Sequence, residues 1–532
     1  MPPTPADSEH RVPPAAAAQT APSRRSVLMA GAAGAVVVPA LSACGGGGSS
    51  GAGSGRLRVG VAGGSAEDTL DAHKPTDNTD IARAHNLYAG LCYFETDYSI
   101  QMALAESIEP NEDATVWTIR LKPGLTFHDG SPVTADSVVF TLRRVTDPEI
   151  LGIGAPQLAT MDRDNIERVD DRTVRVPFAE PYVTLLDLLA EYSMGIVPED
   201  YDPDNPVGAG PFRLVEFTPG QRSLFERFPG FWQEGHPRIE ELEIINFPDE
   251  TARVNALLGG QVDAISQLPP SQIEVVRANP NIETLESESG MWTPFTMRVD
   301  KAPFDDVRVR QAFRLIVDRR QMVDQALAGY GSVGNDIYGR FDPAYVEDEL
   351  PDQRERDIAE AKRLLAEAGH GDGLEVQLVT GPITPGAVAA AQVFKEQARA
   401  AGVTVNLKQT NSTEYYGENY LQWTFAQDFW ATRNYLSQAA QGSLPDAPFN
   451  ETHWADEEWV EIVNEARRTV DEEERNRLIR RAMEIEHERG GYIIWGFVNT
   501  LDAFHRKVKG LEPSVTGHPL TSYGFHRVRI EE

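Results

Sequence analysis

The chain of 532 residues carries 81 acidic against 49 basic side chains, a formal net charge of −32. That balance excludes nucleic acid as a partner and direct adhesion to an anionic membrane surface, both of which need an excess of positive charge. With 41% apolar residues and two cysteines, the composition fits a folded acidic protein whose core is large enough to need no disulfide.

Ser23-Arg24-Arg25-Ser26 precedes an apolar run that ends in Leu41-Ser42-Ala43-Cys44, and a glycine and serine tract fills residues 45–55. A basic stretch, a short apolar run and small residues at a cleavage point are the parts of an export signal. The run is short and glycine-rich for a membrane span. Arg24-Arg25 resembles a twin-arginine signal, but Val27 and Met29 stand where Phe and Lys are usual, so the export route stays open. Leu41-Ser42-Ala43-Cys44 resembles a bacterial lipobox, which implies residues 1–43 as the signal and Cys44 as the lipid-bearing first residue. A disordered Ala/Pro-rich tail with an incidental cysteine is the alternative. Several acyl chains hold a protein firmly where one does not. The tract after Cys44, about eleven flexible residues, reaches on the order of 20 Å. The expected location is therefore extracytoplasmic, on the membrane through the lipid alone.

Arg56-Leu57-Arg58-Val59-Gly60-Val61 alternates as a half-buried strand and opens the first domain. Cys92, in Leu91-Cys92-Tyr93-Phe94, reads as a small buried hydrophobe. Val116 to Leu121 alternates again, and Thr134 is placed to cap a short helix through Leu142. Gly208-Ala209-Gly210-Pro211 marks a turn before Phe212. Glu241 to Phe247 as strand, Thr251 to Leu258 as helix and Val262 to Ile265 as strand make a βαβ unit. The clearest helix spans Val307 to Ala328, with Asp305 and Asp306 at its start and Val309, Ala312, Phe313, Ile316 and Val317 on one face. Helices follow over Ile358 to Ala368 and Ala387 to Ala401, each closed by glycine, then a strand over Val403 to Leu407. Two further helices, Glu457 to Val470 and Glu472 to Glu488, precede an aromatic strand from Tyr492 to Phe497.

No P-loop, Gly-x-Ser-x-Gly elbow, His-Glu-x-x-His or Cys-x-x-Cys is present. His128-Asp129 has the residue types of a base and its orienting acid, but the flanking Phe127 and Gly130-Ser131-Pro132 make it a structural turn. His487-Glu488 reads as a solvated helix face. Gly208-Ala209-Gly210 resembles half of a dinucleotide loop, yet Pro211 stands where a phosphate-binding helix would begin. No catalytic residue, metal site or cofactor is expected.

The run from Trp117-Thr118-Ile119-Arg120-Leu121-Lys122-Pro123-Gly124-Leu125-Thr126-Phe127-His128-Asp129-Gly130-Ser131-Pro132 to Thr134-Ala135-Asp136-Ser137-Val138 resembles the signature of extracellular solute-binding proteins of peptide and nickel ABC transporters, family 5. Gly208-Ala209-Gly210-Pro211-Phe212, Pro303-Phe304-Asp305-Asp306-Val307-Arg308-Val309-Arg310-Gln311-Ala312, the segment Ala361 to Gly369 and Asp471-Glu472-Glu473-Glu474-Arg475 agree with it. The resemblance implies an α/β chain of type II periplasmic-binding architecture, two lobes with a hinge and an additional inserted domain. Carried over, lobe I is 56–86, 208–298 and 497–532, the additional domain 87–207 and lobe II 299–496, with the hinge crossovers near Arg298 and Phe497. It also implies a monomer that closes on a small solute and delivers it to an ABC permease driven by separate ATPase subunits. Trp117, Trp232 and Trp495 fall in structural blocks and read as packing residues.

Dipeptide-binding relatives place an aspartate on the peptide ammonium from a Trp-x-x-Asp segment. The matching stretch here is Trp430-Ala431-Thr432-Arg433-Asn434-Tyr435, which reverses the charge at Arg433. A guanidinium in an aromatic cleft suits a carboxylate or phosphate; pairing with an internal acid such as Asp428 is the equal alternative. Trp430, Trp292, Phe429 and Tyr435 are candidate cleft walls, each also a candidate core residue. Asn434, Arg298 at the hinge and Ser65 after the first strand complete the ligand-binding set. The expected ligand is a peptide or an amino-acid-derived compound, with oligosaccharides, opines or metal chelates as the alternative class and a secreted lipoprotein enzyme a distant third.

Overall fold

The computed structural model describes residues 55–531; the signal, the lipobox and Cys44 lie outside the described residues. Alternation of Leu57, Val59 and Val61 with partly exposed neighbours places Arg56–Ala62 at the centre of a seven-stranded sheet. It pairs in parallel with Glu241–Phe247 on one side and Ala264–Ile265 on the other. The expected βαβ unit is thus present, with the first strand inserted between its two strands and the helix Glu250–Leu258 crossing over. Antiparallel strands Thr500–His505 and Ile282–Ser287 extend one edge, and Arg222–Arg227 and Phe212–Thr218 the other.

Between the helix Asn78–Leu87 and the turn at Gly208 lies the inserted domain. Its four-stranded sheet orders Ala105–Pro110, Val116–Leu121, Thr173–Pro177 and Glu167–Asp170. The helix Ala135–Val145 begins where Ser137 Oγ accepts the Thr134 N–H at 3.4 Å. Val138 and Leu142 of this helix share a core with Trp117, Ile119, Val174 and Val176. Cys92 is buried in the same core, and burial pushes its thiol up to about 12. His128 is the structural turn expected: its Nε2–H donates to Gly210 O at 3.1 Å, and its Nδ1 accepts the Gly208 N–H at 3.3 Å. The turn it holds needs glycine, because a Cβ on Gly208 or Gly210 would collide with the Leu87 backbone.

Lobe II is built on the short strand Phe295–Met297, which pairs with Phe425–Gln427 and with Tyr492–Ile493. Leu374–Thr380 and Val403–Gln409 form a parallel pair crossed by the helix Ala387–Arg399. Phe295–Met297 and Gly496–Val498 hydrogen-bond with strands of this lobe, which puts the crossovers at 288–294 and at Asn499, near the expected Arg298 and Phe497. Two expectations are corrected here. The single helix over Val307 to Ala328 is two, Val307–Ile316 and Arg319–Ala326. Val317 and Asp318 adopt extended backbone, and Asp318 caps the second helix by accepting the Gln321 N–H at 2.9 Å. The aromatic strand divides at Ile494, whose N–H goes to Asp336 Oδ1.

His487 is also corrected. It is 9% exposed and not on a solvated face, because Arg354 Nη2 donates to its carbonyl at 2.7 Å. Among the described residues no helix is long and apolar enough to cross a membrane.

Candidate functional site

A cavity of about 140 Å³ opens where the C-terminal segment of lobe I, the inserted domain and one residue of lobe II, Thr432, come together. The helix Asn78–Leu87 brings His85 to its wall, and the hairpin Cys92–Phe94 with Ile100–Met102 brings Tyr93, Phe94 and Tyr98. Glu191 and Tyr192 follow the short helix Leu185–Leu189. The last segment supplies Thr516, His518, Ser522, His526 and Arg527. Phe94 and Tyr98 stack at 4.2 Å, and the His518 ring meets Tyr192 and His85 edge-on at 5.3 and 5.7 Å. Phe231 and Trp232 close another side, so Trp232 is a cavity residue as well as a packing one.

Thr432 fastens this corner. Its Oγ1 donates to Val515 O at 2.8 Å and accepts the Gly290 N–H at 2.9 Å, while its carbonyl accepts the Tyr98 hydroxyl at 2.9 Å. Both lobes and the inserted domain therefore hold the residue next to Arg433.

Arg433 is 15% exposed in its side chain and donates no hydrogen bond to any described residue, and its buried Nε has no partner. Glu191 Oε1 stands 3.9 Å from that Nε, beyond hydrogen-bond reach, and the guanidinium lies 6.0 Å from the Trp430 ring centre. The neighbouring acid is thus Glu191 of the inserted domain; Asp428 instead accepts the hydroxyls of Tyr416 and Tyr420. Beside it, Asn434 donates to Asp187.

Burial sets the charges here. It raises the Glu191 carboxyl against the pull of Arg433, and it pushes Asp187 up to about 7. Burial, then the Arg433 charge, lowers His518 to about 4, and burial lowers His85 to about 3. Both imidazoles are consequently neutral at physiological pH. Across the cavity Arg527 grips Glu95 with two hydrogen bonds of 2.6 and 2.8 Å, which is enough to lower Glu95 against its burial.

The other sequence candidates lie elsewhere. Trp292 is 1% exposed, exchanges backbone hydrogen bonds with Trp430 and stacks on Tyr338 at 5.5 Å. Tyr435 is fully buried, donates to Glu486 at 3.0 Å and accepts from Trp459. Both lie in one buried core with Trp459 and Tyr492. Arg298 is held by Asp300 at 2.6 and 2.7 Å, and Ser65 is exposed in a turn closed by Asp68. Trp430 is 6% exposed with its Nε1–H on Glu451, whereas Phe429 is 43% exposed. Sequence reasoning did not reach His85, Tyr98, Glu191, Tyr192 or His518, which belong to no motif. The reversed charge at Arg433 was the one available hint that an acid stood nearby.

Residues 99–444 match the family described as bacterial extracellular solute-binding proteins, family 5. The glutathione-binding protein GsiB of Salmonella typhimurium is 26% identical over 456 residues, which cover 80% of this chain and 86% of the relative. The structure of AgaA in complex with agropinic acid, from A. tumefacien R10, aligns with a TM-score of 0.76 at 25% identity over 90% of this chain and 99% of that one. CtaP, an ABC transporter substrate-binding protein of Listeria monocytogenes, aligns with a TM-score of 0.79 at 21% identity over 90% of this chain and all of the other. The two-lobed fold expected from the sequence is the fold of these proteins.

Proposed function

This chain belongs to the bacterial extracellular solute-binding proteins of family 5, and from that premise we propose that it captures a carboxylate-bearing, amino-acid-derived solute, a peptide or an opine, for delivery to an ABC importer. The observation that carries the ligand class is the guanidinium of Arg433, largely buried, without a hydrogen bond, and adjoining the cavity-lining residues Thr432 and Glu191. Its buried Nε makes no hydrogen bond, and Glu191 at 3.9 Å offsets the desolvation only in part. A ligand carboxylate offsets the rest by taking two parallel hydrogen bonds from the guanidinium. Aromatic rings and the hydroxyls of Thr516 and Ser522 would enclose the rest of the molecule. Glutathione and agropinic acid, named for two relatives, both bear carboxylates. The chain performs no chemistry in this reading, and Cys44 ties it to the extracytoplasmic face of the cell membrane beside its permease.

The test is calorimetric titration with glutathione, other small peptides, agropinic acid and neutral oligosaccharides, on wild type, Arg433→Met and Arg433→Lys. Losing one partner of a buried, hydrogen-bonded charge pair costs about 2–5 kcal/mol, so Arg433→Met should weaken the carboxylate ligand by roughly 30-fold or more. Lysine keeps the charge but not the fork and should recover only part of the affinity. Equal affinity in wild type and Arg433→Met, or binding confined to the neutral sugars, rejects the assignment.

A further inference from the structure

Trp430 also adjoins a group of residues that the Arg433 corner does not use. Asp428 and Glu451 are 4% and 5% exposed, and among the described residues neither is paired with a lysine, arginine or histidine. Asp336, Asp71 and Asp80 are by contrast paired with Arg319, Arg144 and Arg83, while Glu486, Asp502 and Asp342 are single buried acids held by hydroxyl or backbone N–H donors. Asp428 receives only the hydroxyls of Tyr416 and Tyr420, at 3.3 and 3.0 Å, and the Phe429 N–H at 2.8 Å. Glu451 Oε1 accepts Trp430 Nε1–H at 3.0 Å, and its Oε2 is buried with no partner.

A second, independent feature coincides with this pair. Tyr416, Phe429 and Phe449 are the only aromatic side chains among the exposed large hydrophobics of the described residues, and all three are found here. Tyr416 packs edge-on against Tyr420 at 5.0 Å, Phe449 meets Trp430 edge-on at 6.3 Å, and Phe429 adjoins Asp428. Near the six-membered ring of the same indole, Gln438 is 1% exposed with neither amide atom partnered. Aromatic faces are electronegative and attract cations, most strongly where water is excluded. Buried acids without a basic partner normally find a proton or a bound cation instead.

We propose that Asp428 and Glu451, rimmed by Tyr416, Tyr420, Phe429 and Phe449, form a second binding subsite for an organic cation, a guanidinium or primary ammonium group. The cation's N–H groups donate to the free Glu451 Oε2 and to Asp428, and its carbon chain lies along the rings. Without it the pair retains a proton. Burial and the facing Asp428 raise Glu451 well above its ordinary value, and burial pushes Asp428 up to about 6. The site goes beyond the carboxylate reading and does not depend on it, since it uses neither Arg433 nor the cavity.

Agmatine, which carries both cationic groups, is the probe. Titrated into the wild-type protein and followed by calorimetry, it should bind saturably at one site, while potassium chloride at matched ionic strength gives no response. Glu451→Gln and Asp428→Asn should each weaken it about tenfold or more, the loss of a charge-assisted hydrogen bond. Phe449→Ala, at an exposed position that leaves folding intact, should weaken it through the rim alone. No saturable binding of agmatine to wild type, an equal response to potassium, or undiminished affinity in all three variants would overturn the proposal.

Discussion

Replacing Asp336 with asparagine removes the one carboxylate that three guanidiniums share. Its Oδ2 lies 2.5 Å from Arg319 Nη2, 2.9 Å from Arg354 Nε and 4.0 Å from Arg314 Nε. None of these arginine side chains is more than 13% exposed. Burial alone would raise the carboxyl, but Arg319, Arg354 and Arg314 together hold it below the ordinary range. Asparagine keeps the shape and the acceptor for the Ile494 N–H, so the substitution isolates the charge. Removing one partner of a buried ion pair costs about 3–5 kcal/mol, because the remaining charge stays buried. Three guanidiniums left facing one another place the loss toward the upper end. Against a total stability of about 5–15 kcal/mol, that is a large fraction. Urea unfolding followed by tryptophan fluorescence should show a lower midpoint at unchanged slope. The folded pKa lies below the unfolded one, so this contribution is complete above the ordinary carboxylate range and is lost as pH falls through the folded value. The gap between wild type and Asp336→Asn should therefore close in acid. A loss at pH 7 below about 1 kcal/mol, the size of a surface pair, would refute the reasoning.

Acid should also act through His73, whose Nε2–H donates to Gly195 O at 3.0 Å while its Nδ1 accepts from Arg144 at 2.6 Å. Burial lowers it to about 4, so the unfolded chain binds the extra proton between that value and about 6.5 and stability falls as pH drops through this window, by roughly 3 kcal/mol for this residue. Urea midpoints measured at pH 7 and pH 4.5 should differ, with a shallower pH dependence in His73→Asn; identical slopes would exclude His73 as the cause. For the N-terminus, mass spectrometry of the protein from a membrane fraction should find Cys44 as the first residue with acyl groups attached, and an unmodified chain retaining Met1 would remove the lipid anchor from the proposal.

Most of the fold was legible because it is written locally. The alternation of Arg56 to Val61, the cap at Asp306 and the glycines after the helices each act within a few residues. The boundary errors share another cause. Val317-Asp318 carries on the apolar period of its helix, yet Asp318 leaves it to cap the next helix and Arg319 turns to Asp336, a partner 17 residues away. Likewise Phe295–Met297 looks continuous with lobe I until its hydrogen-bond partners, Phe425–Gln427 and Tyr492–Ile493, are known. A strand's pairing depends on distant segments, and no local pattern records it.

By itself the sequence determined the architecture, the absence of any recognisable catalytic motif and the reversal of charge at Arg433. Tertiary structure decided what that charge meets. Glu191, His518, Tyr98 and Thr432 come from three separate parts of the chain and acquire a common chemistry only when burial strips water from them. The aromatic candidates divided for the same reason. Trp292 and Tyr435 differ little in kind from Phe429, but packing against distant helices and strands enclosed the first two and left Phe429 in solvent beside Asp428. Side-chain identity is local, whereas desolvation, which gives a charge or a ring its energetic weight, is a property of the assembled fold.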